Sequence, residues 1–196
     1  VITGAGAFAL KKPVFCNGAA MMVRKKTYLK THDAMQGKGF ASGDDVFLLH
    51  AVVNQHGSES ASFVFSKEVT VETMPPESLK QFFLQRIRWA SKAVAYRSLP
   101  SMLLAASVLL MNCMIPVFAL VAMLTTQAVF PFIILLFAKC FADFMLFISG
   151  YGLHKSVIMP FLSIIFQPVY IVYVVTTSLM SMLLPVSWKG RAIRSI

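Results

Sequence analysis

The pattern of apolar and polar positions divides the chain near residue 97. Beyond it, residues 102–124 form a charge-free run of 23, enough to cross a hydrocarbon core of about 30 Å, which takes about 20 helical residues. Pro116 lies inside this run and is expected to kink it. A second run, 128–148, carries Lys139 and Asp143 four residues apart, on one helix face. Two charges left in lipid are costly, so the pair is expected to face protein and fix helix packing; a part in a translocation path is the alternative. The third run, 157–184, has 28 residues with Pro160, Gln167 and Pro168 near its start. That is too few for two spans, so it reads as a bent span or an interfacial segment followed by a span.

Before residue 97 the pattern is mixed. Residues 13–23 alternate around Cys16-Asn17-Gly18 and predict strand, tight turn, strand. Residues 25–31 predict a short basic helix or turn, and the glycine-containing stretch 32–43 a loop. Ser42-Gly43-Asp44-Asp45 then feeds a helix through Val46-Phe47-Leu48-Leu49, with Ser42 or Asp44 as N-cap. Residues 61–65 and 69–73 predict two short strands, and Pro75-Pro76-Glu77 opens a helix running to about Tyr96. That helix has an apolar side (Leu79, Phe82, Phe83, Ile87) and a basic one (Lys80, Arg86, Arg88, Lys92), as interfacial helices do.

Composition agrees with the division. Of 196 residues, 57% are hydrophobic and 13% charged, against about 45–50% and about 25% in soluble domains. Residues 1–97 hold thirteen Lys and Arg against seven Asp and Glu; residues 98–196 hold five against one. The net charge of +10 lies beside the apolar runs, where basic residues meet anionic lipid and set topology, so nucleic acid is not an expected partner. Lys80, Arg86, Arg88, Lys92 and Arg97 place the polar half in the cytoplasm, and Lys189, Arg191 and Arg194 favour the same side for the tail. Three full crossings contradict that, and a re-entrant third run would reconcile it. Cys16, Cys113 and Cys140 show neither metal spacing nor a disulfide framework. Gly4 and Gly6 make only a weak phosphate-loop signal.

Two motifs carry chemistry. Asp44-Asp45 at a helix start after a flexible loop offers a general base toward a hydroxyl, with a helix cap as the plainer reading. In Gln85-Arg86-Ile87-Arg88-Trp89 two guanidinium groups can clamp a diphosphate and an indole can stack on a sugar, with a juxtamembrane anchor as the plainer reading.

In order, Phe15-Cys16-Asn17-Gly18-Ala19, Ser42-Gly43-Asp44-Asp45, Gln85-Arg86-Ile87-Arg88-Trp89 and the apolar runs resemble the carboxy-terminal half of membrane-integrated family 2 glycosyltransferases. These include the cellulose, chitin, hyaluronan and poly-N-acetylglucosamine synthases. Ser187-Trp188-Lys189-Gly190-Arg191 resembles the tail of bacterial members.

The resemblance implies an α/β fold. Residues 1–74 would be the second part of a GT-A, Rossmann-like catalytic domain without its nucleotide-binding half. Residues 75–97 would be an interface helix, and 98–196 a helical membrane region of about three apolar segments. It implies inverting transfer from a nucleotide-diphosphate sugar to a glycan or lipid-linked acceptor, in polysaccharide or glycolipid synthesis. The setting would be the cytosolic face of a bacterial inner membrane. Asp45 would be the base beside Asp44, although this chain has Asp where the family usually has Glu at the first position. Gln85, Arg86 and Arg88 would contact the donor diphosphate. Trp89 would stack on the acceptor, and Cys16, Asn17 and Gly18 would line its pocket, Cys16 through its backbone. A divalent metal (Mg or Mn) is expected for the full enzyme, with ligands outside this chain because no Asp-x-Asp occurs. The chain alone would then be inactive. A non-enzymatic polytopic membrane protein, such as a transporter subunit or scaffold, is the alternative.

Overall fold

The computed structural model describes residues 2–32, 44–64, 66–96, 98–184, 187–188 and 191–192. Helix α1 (Ile2–Ala9) is followed by extended chain, a 3-10 turn at Gly18–Ala20 and the short basic helix α2 (Lys25–Thr31). Helix α3 (Asp44–His56) and helix α4 (Leu79–Ser91) follow, the latter continued by a 3-10 turn at Lys92–Ala95. Then come α5 (Leu99–Leu124), α6 (Val129–Ser149), α7 (Tyr151–His154), α8 (Met159–Ile165) and α9 (Gln167–Leu183). Two-residue strands β1 (Ser187–Trp188) and β2 (Arg191–Ala192) pair antiparallel in the tail, Ser187 opposite Ala192 and Trp188 opposite Arg191.

The expected α/β Rossmann-like domain is not what forms. Among the described residues the tail pair holds the only strands, and the polar half is helical and irregular. The reason lies in where the backbone groups of 13–23 go. The Val14 carbonyl accepts hydrogen bonds from side chains, and the Gly18 amide donates to a carboxylate. A segment spent on side chains makes no ladder, and a strand without a neighbour is not a strand. The β-prone Val64, Val69 and Val71 are 64%, 49% and 51% exposed, so no facing sheet collects them. The Gly4/Gly6 stretch is the helix α1 and not a phosphate loop. Gly4 is buried, and a Cβ there would sit 3.2 Å from the Phe15 ring.

The chain divides into two compact units, Val1–Leu103 with Leu179–Ile196, and Leu104–Ser178. In the first, α3 is the centre. Seven consecutive residues from Val46 to Val52 are buried, so this helix is covered all round, as central helices are. Val14 and Ile87 are buried with it. The helix expected to open at Pro75 starts four residues later at Leu79. Its N-cap is Ser78, whose Oγ accepts from the Gln81 amide at 3.2 Å, while Gln81 Oε1 accepts from the Glu77 amide at 3.1 Å. Reciprocal capping of this kind satisfies two amides that have no intrahelical partner.

In the second unit α6 packs along α8, with Phe144 edge-on to Phe161 at 5.5 Å. Among the described residues two stretches are long and apolar enough to cross a membrane, Leu99–Leu124 and Thr126–Ser149; α8 and α9, bent by 71°, make a third if they form one span. The bend falls at Phe166, two residues before Pro168. Proline has no N–H to donate to Ile164, and its ring clashes with the preceding turn, so the ladder breaks there. Lys139 and Asp143 pair as expected. Gln167 Nε2 also donates to Asp143 Oδ2 at 2.5 Å, and Lys139 Nζ lies 4.6 Å from the Tyr170 ring centre. This charge pair is held by α9 as well as α6, which suits a packing role.

Candidate active site

Asp44 and Asp45 form the first turn of α3. Ser42 and Gly43, the other half of that motif, lie outside the described residues. Each Asp45 oxygen accepts one backbone amide: Oδ2 from Gly18 and Oδ1 from Val46, both at 2.9 Å. Two fixed donors set the plane of the carboxylate and leave its remaining lone pairs for a substrate proton. Gly18 begins a 3-10 turn capped by Asn17, whose Oδ1 accepts from the Ala19 amide at 3.2 Å. A Cβ on Gly18 would stand 3.2 Å from Asp45 Oδ2, so glycine permits the close approach.

Cys16 lies two residues before Gly18. Burial, with the Asp45 charge adding and Lys92 opposing, pushes its thiol up to about 12. A thiol protonated at neutral pH is a poor nucleophile. Tyr96, packed edge-on against both His50 and Phe47, is likewise raised to about 12 by burial and then by Asp45 and Cys16.

A cavity of about 370 Å³ opens beside the carboxylates, lined by Gly18, Met21, Val23, Tyr28, His32, Asp44, Asp45 and Leu48. Sequence reasoning selected Gly18 and the two aspartates but not the α2 side. Tyr28 and His32 are four residues apart, so one helix face presents both, and their rings lie 5.3 Å apart. That spacing was the available signal. Cavity, apolar floor, aromatic wall and carboxylates together suit a hydroxyl-bearing ligand.

Helix α4 separates the residues of its motif. Residues two apart point to different faces of a helix, and Arg86 and Arg88 do so here. Arg86 lies over Phe82 at 4.9 Å and Trp89 at 4.4 Å. Its Nε is buried without a hydrogen-bond partner among the described residues. Arg88 shares its face with Lys92, one turn on. Burial lowers both from their ordinary values, and the Asp45 charge opposes this in both. Arg88 and Lys92 therefore feel the Asp45 charge, whereas Arg86 is turned to aromatic rings. Lys92 was read from sequence as one of a basic face and not as a site residue. Trp89 is 43% exposed with Arg86 over it, so a stacked ligand must share or displace that guanidinium. Among the described residues no group of three or more His, Cys, Asp or Glu side chains could hold a metal. Asp44 and Asp45 are two carboxylates without a third such group beside them among the described residues.

Residues 6–195 match the model of glycosyl transferase family 21. The chain belongs to this family. Comparison with curated proteins and with solved structures gives no match. The glycosyltransferase resemblance of the motifs thus holds, with family 21 and not family 2 as the matched one. Membership of family 21 supports a transferase, with a sugar donor and an acceptor as its substrates, over a transporter subunit or scaffold.

Proposed function

We propose that this family 21 protein carries out inverting transfer of a sugar from a nucleotide-diphosphate donor to a hydroxyl of a glycan or lipid-linked acceptor. The work takes place at the cytosolic membrane face, in polysaccharide or glycolipid synthesis of a bacterial inner membrane. The observation that supports it most is the Asp45 carboxylate, held by the Gly18 amide at the edge of a cavity, with its charge felt at Arg88 and Lys92. A base next to cations is what a single displacement needs. The acceptor oxygen bonds to the anomeric carbon as the bond to the diphosphate oxygen breaks, and the acceptor proton passes to Asp45, beside Asp44. Arg88 carries the charge that develops on the departing diphosphate, joined by Gln85 and by Arg86 once that guanidinium leaves the Phe82 and Trp89 rings. Trp89 offers its face to the acceptor sugar, and Cys16, Asn17 and Gly18 form the acceptor-side backbone. Magnesium or manganese enters only as the companion of the donor; no described residue is assigned to hold it. Residues 1–74, 75–97 and 98–196 act as catalytic part, interface helix and membrane region.

The test is turnover of the full-length enzyme in membranes, supplied with nucleotide-diphosphate sugars. Arg88→Ala is expected to lose roughly 100-fold in kcat, the scale of removing one transition-state charge contact, while Lys12→Ala stays at the wild-type rate. A wild-type rate for Arg88→Ala at equal expression overturns the assignment.

A further inference from the structure

We infer that His50 and Ser101 are positioning residues for sugar transfer, latching the Val14 carbonyl and thereby fixing the segment that delivers the Gly18 amide to Asp45. The inference rests on Asp45 being the base. His50 Nε2 lies 3.0 Å from the Val14 oxygen, and Ser101 Oγ donates to the same oxygen at 2.8 Å. The hydroxyl and the ring nitrogen are themselves 3.1 Å apart. Val14, His50 and Ser101 are 4%, 9% and 4% exposed. A carbonyl oxygen has two lone pairs, and both are used here. The neutral Nε2–H tautomer of His50 satisfies this geometry: its one N–H is shared between the Val14 oxygen and Ser101 Oγ, while the Ser101 hydroxyl donates to Val14.

Three elements meet at this oxygen. Val14 begins the extended stretch that runs to Gly18 without a strand partner among the described residues. His50 stands on α3, five residues after Asp45, and Ser101 on the first turn of α5. Helix α3 thus holds the extended stretch at two points, Asp45 to Gly18 and His50 to Val14. Ser101 ties the same stretch to the start of a helix long enough to cross a membrane. With the latch removed, the stretch keeps its packing and the Gly18 contact but loses both hydrogen bonds to the Val14 oxygen, which loosens the alignment of Asp45 without touching any contact to the sugar donor.

The test uses the full-length enzyme in membranes. Ser101→Ala and His50→Ala are expected to lower kcat about fivefold, the scale of one hydrogen bond, with the KM for nucleotide sugar unchanged. Ser101→Thr and His50→Gln, which keep a donor, recover most of the rate. Should an alanine variant fail to accumulate, Ser101→Thr against Ser101→Val compares two side chains of one shape that differ in the hydroxyl. A second readout needs no turnover. With Cys113 and Cys140 replaced by serine, alkylation of Cys16 is expected to speed up several-fold when Ser101 becomes alanine or valine. Wild-type kcat in the alanine variants, equal rates for Thr and Val at 101, or unchanged Cys16 labelling would each overturn the latch. Asp45→Asn measured alongside separates the two readings. If it retains turnover, the base assignment fails and the labelling result alone judges the latch.

Discussion

Replacing Gly18 by alanine probes the contact on which the base depends. The new methyl would lie 3.2 Å from Asp45 Oδ2 and 3.3 Å from Asp45 Cβ. Both are a few tenths of an ångström inside ordinary contact, so the carboxylate has to move by about that much. The Gly18 amide that holds Oδ2 at 2.9 Å moves with the same backbone and cannot follow both demands. A misplacement of about 1 Å in a reacting group costs about 100-fold. A shift of a few tenths scales to about three- to fivefold in kcat. Gly18 is exposed, so no core term enters, and stability should change by no more than about 0.5 kcal/mol. The assay is initial-rate transfer in membranes with donor saturating, normalised to protein level, beside a thermal midpoint in detergent. Gly6→Ala is the control. Nothing lies within 4 Å of a Cβ there, and alanine in the helix α1 gains up to about 1 kcal/mol with kcat unchanged. A Gly18→Ala enzyme with wild-type kcat would refute the reasoning, because the Asp45 carboxylate would then not need that alignment.

Two further outcomes follow from the packing. Lys139→Met strands Asp143 with Gln167 as its remaining hydrogen-bond partner among the described residues; the pair is partly buried, so the cost is expected below the roughly 3 kcal/mol of a fully buried pair, and Lys139→Met with Asp143→Leu should recover most of it. Equal stability of the single variant in detergent unfolding would contradict the buried-pair account. His50 is held below its ordinary value by burial, with the Val14 hydrogen bond opposing. The unfolded chain therefore binds this proton more readily, so its contribution to stability is full above about pH 6.5. It declines as pH falls toward the folded value, by at most about 1.4 kcal/mol per pH unit. Unfolding midpoints from pH 7.5 to 5.5 should fall less steeply for His50→Gln than for the wild type, and parallel slopes would contradict the burial of a neutral ring.

How much was legible in the sequence depended on how local the deciding interaction was. Helix α3 announces itself, because two aspartates precede an apolar run with no Gly or Pro inside. The long apolar runs are a matter of length, and the break near Gln167 follows from one missing N–H at Pro168. The strands predicted over 13–23 and 61–65 failed for a non-local reason. Alternation states which residues are apolar, but not whether a partner strand exists. Here the Val14 carbonyl is taken by His50 and Ser101, 36 and 87 residues away, which no local pattern reveals. Arg86 and Arg88 read as a pair along the sequence, yet helical geometry turns Arg86 to Phe82 and Trp89 and puts Arg88 on another face. Tyr28 and His32 were visible as an i,i+4 pair, but their value depends on α2 facing α3.

The central claim is that Asp45 takes the acceptor proton, and Asp45→Asn tests it most directly. Asparagine keeps the shape and an oxygen for the Gly18 amide but cannot accept a proton. Single-turnover transfer by the full-length enzyme in membranes should fall by roughly 100-fold or more, with donor binding and protein level unchanged. Transfer at the wild-type rate would contradict the account.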